Sequence, residues 1–205
     1  MKQSTREQAT NSWIRVPVAV STTHVHLTPA AIEQLFCDHY RLHQHSRLGQ
    51  PTQYAAEEFV TLIGPRGQIS NVRVIGPPRS ANQVELSATD AVILGIDAPR
   101  RRSGDLEGTP GILIKGPRTL VTLELGVIRA LPHIHMSSQD ADQFGLKDQD
   151  RVEVATERHT RRVLFRDVLV HVSGDYRLEL HLDADEGEAV NLHSGDYVIL
   201  CRATQ

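Results

Sequence analysis

Apolar and β-branched residues come in short runs along this chain rather than in long helical stretches. The runs are "VPVAV" from residue 16, "FVTLI" from 59, "ISNVRVI" from 69, "QVELS" from 83, "GILI" from 111, "LVTLEL" from 120, "RVEVA" from 151, "RVLFRDVLVHV" from 162, "RLELHL" from 177 and "YVILC" from 197. Pro and Gly separate several of them in "GPRG", "IGPP" and "KGPR", supplying the dihedrals that turns need. Many short strands at near-regular spacing predict a barrel or a sandwich. Helix signals are few. Thr28 can cap a short helix with Pro29 in its first position and Ile32, Leu35 and Phe36 on one face, and Ser137 can cap a second that ends near Gly145.

Those two helices belong to a repeat. "VAVSTTHVHLTPAAIEQLF" and "VIRALPHIHMSSQDADQF" share a strand, an H-x-H, an apolar residue, Ser or Thr and then a helix, and "QVELSATDA" is echoed by "RLELHLDAD". The repeat predicts two similar lobes related by an approximate two-fold. Because the first strand precedes the first histidine pair, the expected division is a polar tail at 1–15, one lobe from 16–22 with 129–205, and another from 23–128. The polar stretch "DHYRLHQHSRLGQPTQ" reads as a long connection.

Composition narrows the picture. With 205 residues and 40% apolar content the chain can bury a proper core. No window approaches the roughly 18 apolar residues of a membrane span, and "MKQSTREQATNSW" lacks the apolar centre of a secretory signal, so the expectation is a cytoplasmic protein with no membrane partner. Cys37 and Cys201 are too few and too far apart for a disulfide framework or a thiolate zinc knuckle and read as reduced core thiols. A net charge of −3 with 4% aromatics argues against nucleic acid. Histidine is the unusual count, at 11.

Positions i and i+2 of a strand face the same way, so His24 and His26 can converge on one ion, whereas on a helix they would diverge by about 160°. Chance gives roughly 0.6 H-x-H pairs in such a composition, and this chain has three. His43 and His45 lack the repeated context and read as solvated. For the other two pairs a metal is the favoured reading and hydrogen-bonded structural histidines the alternative. Each pair needs a third ligand, because a catalytic zinc keeps three protein ligands and one open position. Glu85 in "QVELS" and His181 in "LELHL" stand at equivalent points of the repeat, although a cap or ion-pair role for Glu85 and an ordinary strand position for His181 also fit.

At these residues the sequence resembles the phosphate propanoyltransferase family, the PduL-type phosphotransacylases. The matching stretches are "VPVAVSTTHVHLTPAAIEQLF", "AAEEFVTLIGPRGQISNVRVIGPPRSANQVELSATDAVILGI", "APRRRSGDLEGTPGI", "HIHMSSQDADQFGLKDQDRVEV" and "LELHLDADEGEA", which cover nearly all of 16–190 in order. The resemblance implies a mainly β fold of two β-barrel lobes capped by short helices; the order of the repeat has the N-terminal strand completing the C-terminal lobe. The resemblance also implies two zinc ions between the lobes and transfer of an acyl group, propanoyl or acetyl, between coenzyme A and inorganic phosphate. Carried over, one zinc takes His24, His26 and Glu85 and the other His133, His135 and His181, while Arg79 falls on the phosphate-binding arginine and Ser103 on the active-site loop. Thr22, Thr23, Leu131 and Pro132 depart from the family's pattern ahead of the histidine pairs. Members packaged into bacterial microcompartments carry an amphipathic N-terminal extension, and the short polar N-terminus here points to a free enzyme. A homo-oligomer, with a dimer favoured, is the expected assembly.

On this reading two zinc ions orient phosphate and polarise the thioester carbonyl or steady the leaving thiolate. Arg79 grips phosphate through two parallel bonds that lysine cannot reproduce. The run Arg100, Arg101 and Arg102 can meet the phosphates of coenzyme A, and Glu57, Glu58, Asp105 and Glu107 read as structural or as supports for ligands. Two other readings compete. A binuclear zinc hydrolase acting on a thioester or ester would also begin with H-x-H, and a non-catalytic metal-stabilised barrel would fill every zinc position with protein.

Overall fold

The computed structural model describes residues 14–157 and 162–201, so that most of the expected polar tail lies outside the described residues. In chain order the elements are β1 (Ile14–Ser21), β2 (His24–His26), α1 (Pro29–Leu35), β3 (Gln44–Arg47), β4 (Tyr54–Ile63), β5 (Gln68–Gly76), β6 (Gln83–Glu85), α2 (Ala88–Leu94), β7 (Arg100–Arg101), β8 (Ile112–Lys115), β9 (Leu120–Leu123) and β10 (Val127–Ala130). They continue with β11 (His133–Met136), α3 (Ser138–Phe144), β12 (Arg151–Thr156), β13 (Leu164–Val172), β14 (Glu179–Asp183), α4 (Ala184–Val190) and β15 (Tyr197–Cys201). The protein is mainly β. Six strands close a barrel in the order β1-β14-β11-β13-β12-β15, and the others form a curled half-barrel sheet in the order β7-β10-β6-β2-β5-β4-β8-β9, with β3 on β4. Among the described residues no helix is long and apolar enough to cross a membrane.

The two lobes are the same plan used twice. β2 runs parallel to β5 and antiparallel to β6; β11 runs parallel to β13 and antiparallel to β14. Beside each pair lies a further parallel strand, and here the chain crosses over. β1 precedes β2 in sequence but pairs with β14 and β15 in the barrel, while β10 precedes β11 but pairs with β6 and β7 in the sheet. Each repeat therefore donates its first strand to the other lobe, and only Thr22 and Thr23, or Leu131 and Pro132, separate the donated strand from the H-x-H strand.

Period-two alternation explains where the cores sit. Val25, Leu27, Val84 and Leu86 face the sheet lobe's core, and Ile134, Met136, Leu180 and Leu182 face the barrel's. The residues between them, His24, His26, Glu85, His133, His135 and His181, are turned the opposite way, toward the other lobe. The two lobes also meet through α4, where Asp185 Oδ2 accepts from the Thr89 amide of α2 at 2.7 Å and Glu186 pairs with Arg100.

Four helices of seven residues each follow β2, β6, β11 and β14. Thr28, Ser87, Ser137 and Asp183 cap them, each side-chain oxygen accepting from the amide three residues on. The supposed connection at 38–53 contains β3, whose four residues are all exposed on the sheet edge. Cys37 is exposed rather than part of a core, and Cys201 is half-buried.

Candidate active site between the lobes

The crossovers bring the two histidine pairs face to face. In the sheet lobe His24 is the cross-strand partner of Glu85, and in the barrel His133 is the cross-strand partner of His181. Side chains directly opposite on antiparallel strands have Cβ atoms about 5 Å apart, so each register match delivers a third donor to its pair. The outcome is two groups, His24 with His26 and Glu85, and His133 with His135 and His181, each with potential ligand atoms within 4.8 Å of one another. Every strand that supplies a donor ends two residues later in a helix cap: His26 precedes Thr28, Glu85 precedes Ser87, His135 precedes Ser137 and His181 precedes Asp183.

Hydrogen bonds decide which nitrogen of each ring is free. His24 Nδ1 lies 2.8 Å from Thr22 O and His133 Nδ1 lies 2.7 Å from Leu131 O. A carbonyl only accepts, so both Nδ1 atoms carry a proton, and in the neutral ring the lone pair falls on Nε2. The crossover residues thus orient the first histidine of each pair. In the second histidine of each, His26 and His135, Nδ1 is buried with no hydrogen-bond partner. Buried polar atoms are seldom left unpaired, and two at equivalent points of a repeat fit an ion better than an accident of packing. His181 Nε2 is taken by Glu179 Oε2 at 2.9 Å, leaving its Nδ1.

The electrostatics agree with this. Burial lowers the His26 imidazole to about 4, against the pull of Glu85, with His24 adding to the lowering. Burial, reinforced by His181, lowers His133 to about 3; burial, with His133 and His181, lowers His135 to about 2. Burial alone would push Glu85 up, but His24 and His26 hold its carboxyl well below the usual range. Glu85 Oε2 lies 3.6 Å from His24 Nε2 and its Oε1 3.7 Å from His26 Nε2, and with its lowered value the His26 ring is neutral at neutral pH, so that contact is not an ion pair. Neutral imidazoles and an ionised carboxylate are the protonation states in which these side chains bind metal, so the residues present fit a pair of zinc-type cations.

Arg79 follows β5, and its Nη1 donates to Ser103 Oγ at 3.3 Å. Burial lowers its guanidinium below the ordinary value, with Glu85 pulling the other way. Gln83, buried at the start of β6, ties the wall together: its Nε2 reaches Glu85 Oε1 at 2.5 Å and Ser103 Oγ at 2.8 Å, and its Oε1 accepts from the Gly104 amide at 2.8 Å. A cavity of about 810 Å³ between the lobes is lined by both three-residue groups together with Arg79, Ser103 and Arg102. Arg100 and Arg101 do not line it. Arg100 pairs with Glu186, and Arg101 Nε lies 3.7 Å from Asp105 Oδ2. Glu58 is elsewhere, holding the His43 ring at 2.8 Å and the Tyr40 hydroxyl at 3.0 Å.

Several side chains in or against the cavity wall escape sequence reasoning. Gln83 and Glu179 stand two residues before Glu85 and His181, so the rule that singles out H-x-H would also have found Q-x-E and E-x-H. His171, on β13 opposite His135, is buried with its ring centroid 5.2 Å from that of His133, and no local pattern announces it.

Fold and cavity define a two-lobed β protein whose imidazole-rich site lies at the lobe junction. A family model described as phosphate propanoyltransferase matches residues 17–193. The phosphate propanoyltransferase of Thermotoga maritima is 51% identical over 183 residues, 89% of this chain and 87% of the relative. That of Citrobacter koseri is 48% identical over 181 residues, 88% and 86% of the two chains, and that of Salmonella typhimurium 49% over 174, 85% and 82%. The chain belongs to the phosphate propanoyltransferase family.

Proposed function

We propose that the protein is a phosphate acyltransferase, interconverting an acyl-CoA plus inorganic phosphate with an acyl phosphate plus CoA. Propanoyl is the acyl group in the relatives' name and the first to test, with acetyl the shorter alternative. One zinc ion is held by His24, His26 and Glu85 and a second by His133, His135 and His181. The observation that supports this reading is that both groups and Arg79 line one cavity, which would bring cations and an anion-binding fork to the same substrate pair. Its volume of about 810 Å³ suits a sizeable ligand.

Zinc bound at these groups supplies Lewis acidity toward the phosphate and thioester oxygens and toward the departing sulfur. Arg79 presents two parallel N–H donors to phosphate, and Ser103, fixed by Gln83, limits how far the guanidinium swings. A phosphate oxygen so held attacks the thioester carbonyl carbon. The C–S bond then breaks, the acyl group stays on phosphate, and CoA leaves as its thiolate. No covalent acyl-enzyme is needed, and neither Cys37 nor Cys201 lines the cavity. Arg102, at the cavity wall, is the member of the arginine run suited to a CoA phosphate.

Thiol release from propanoyl-CoA, with and without phosphate, tests the reading. Release that requires phosphate is expected. Equal release without phosphate would make the protein a thioester hydrolase, and no release in either case would favour a non-catalytic binding barrel.

A further inference from the structure

Gln50 lies in the loop joining β3 to β4 on the sheet lobe, yet only 1% of it is exposed, because the side chain is sunk into the barrel lobe. Its Nε2 donates to Arg177 O at 3.1 Å and to Glu179 Oε2 at 3.0 Å, and its Oε1 accepts from the Arg177 amide at 3.2 Å. Every strong polar valence of the amide except one is thus spent across the lobe junction. The neighbouring residue has no side chain to interfere: a Cβ at Gly49 would fall 2.0 Å from Glu179 Oε1. The loop is shaped to reach Glu179.

Glu179 in turn faces the metal group. The oxygen that accepts from Gln50 also lies 2.9 Å from His181 Nε2. An ionised carboxylate can only accept, so His181 Nε2 carries a proton, and in the neutral ring the lone pair falls on Nδ1. His133, in the same group, is oriented the opposite way by the Leu131 carbonyl, through Nδ1. Among the described residues, the hydrogen bonds that support the first group come from the sheet lobe and its crossover: Gln83, Ser103 and Thr22.

We propose that Gln50 and Glu179 are positioning residues that set the tautomer and aim of His181, so that the barrel lobe's metal group is completed by a loop of the sheet lobe. This rests on the two-zinc reading above. Binding of the second ion then depends on how the lobes are apposed, and binding of the first does not. Partners that orient a ligating histidine are typically worth 10- to 100-fold in metal affinity.

The test is competition between the full-length protein and a chromogenic chelator for zinc, in wild type, Gln50→Leu and Glu179→Gln. Wild type is expected to hold two ions, and Gln50→Leu to hold one of them about 10- to 100-fold more weakly with the other unchanged. Glu179→Gln keeps an acceptor of the same size but loses the charge, so a milder loss at the same ion is expected; it decides the matter if Gln50→Leu fails to fold. Equal weakening of both ions would mean the loop merely holds the lobes together, and no weakening of either would remove the relay; both overturn the inference. A nitrogen-15 histidine spectrum of the chelated protein reads the tautomer directly: His181 protonated on Nε2 in wild type and a mixture of tautomers in Gln50→Leu. Wild type that binds no zinc, with His181 still shifting its tautomer in Gln50→Leu, would discard the two-zinc reading while leaving the orienting role in place. A tautomer unmoved by Gln50→Leu would discard that role.

Discussion

Arg79 lines the cavity with its Nη1 3.3 Å from Ser103 Oγ, and on the proposed reading its guanidinium separates a phosphate-using transferase from a hydrolase. Arg79→Lys keeps the charge but loses the planar fork. Losing one charge-assisted bond costs about 1.5 to 3 kcal/mol, roughly 10- to 150-fold, so kcat/KM for phosphate should fall by that factor at fixed propanoyl-CoA. Zinc content should not change, since arginine is no ligand. An ordinary phosphate dependence in Arg79→Lys would sink the role. The same residue-scale argument applies to the donors. With two orphaned imidazole nitrogens at equivalent points, the protein as purified should carry close to two zinc ions per chain and lose activity on exhaustive chelation. Elemental analysis finding no transition metal in active protein would remove that basis.

Each strand of the two groups feeds straight into a capped helix, so a cap holds the end of the strand that carries the candidate ligands. In α3 the arrangement is reciprocal: the Asp140 amide donates to Ser137 Oγ at 3.1 Å, and the Ser137 amide donates to Asp140 Oδ2 at 3.1 Å. Ser137→Ala should cost about 1 kcal/mol, read as a lower urea midpoint. Gly126 is a second element-scale test. It enters β10 with φ +117°, where a Cβ would stand 2.6 Å from Asn82 O, and its own carbonyl accepts from the Val84 amide. Gly126→Ala combines a left-handed strain with a backbone clash, for which about 1 to 3 kcal/mol is the expected loss. A variant as stable as wild type would show that β10 can shift without disturbing β6. Caps made α1 and α3 legible in the sequence. α2 and α4 were hidden, although Ser87 and Asp183 sit in the echoed "QVELSATDA" and "RLELHLDAD", because seven residues hold too few turns to show an apolar period.

At the scale of the molecule, burying neutral imidazoles makes stability depend on pH. His26, His133 and His135 have folded values of about 4, 3 and 2 against an ordinary 6.5. Below about 6.5 the unfolded chain takes up protons that the folded chain refuses, so the stabilisation present at neutral pH is lost as pH falls toward those folded values. Each such group contributes a slope of up to about 1.4 kcal/mol per pH unit. The chelated protein should therefore show a clearly lower urea midpoint at pH 5.5 than at pH 7.5. A midpoint that held or rose would mean the imidazoles are solvated or protonated in the fold. The strand exchange is the other whole-molecule feature. With β1 in the barrel and β10 in the sheet, the two lobes cannot part without breaking ladders in both.

Period two, read together with the duplicated H-x-H, was enough to indicate a mainly β chain of two like lobes, the strands that bear the histidine pairs, and Glu85 and His181 as candidates at matching points of the repeat. These are local properties: alternation and caps depend on a few neighbouring residues, and duplication makes each signal count twice. What the chain could not announce was which partner lies across each strand. The register that sets His24 against Glu85 and His133 against His181, the half-barrel form of the sheet lobe, and the division of the arginine run into Arg102 at the cavity and Arg100 on Glu186 all depend on long-range packing. Gln50 makes the point most sharply. In sequence it is a polar residue in a polar connection; only the apposition of two lobes, 129 positions apart at Glu179, turns it into a buried link to His181.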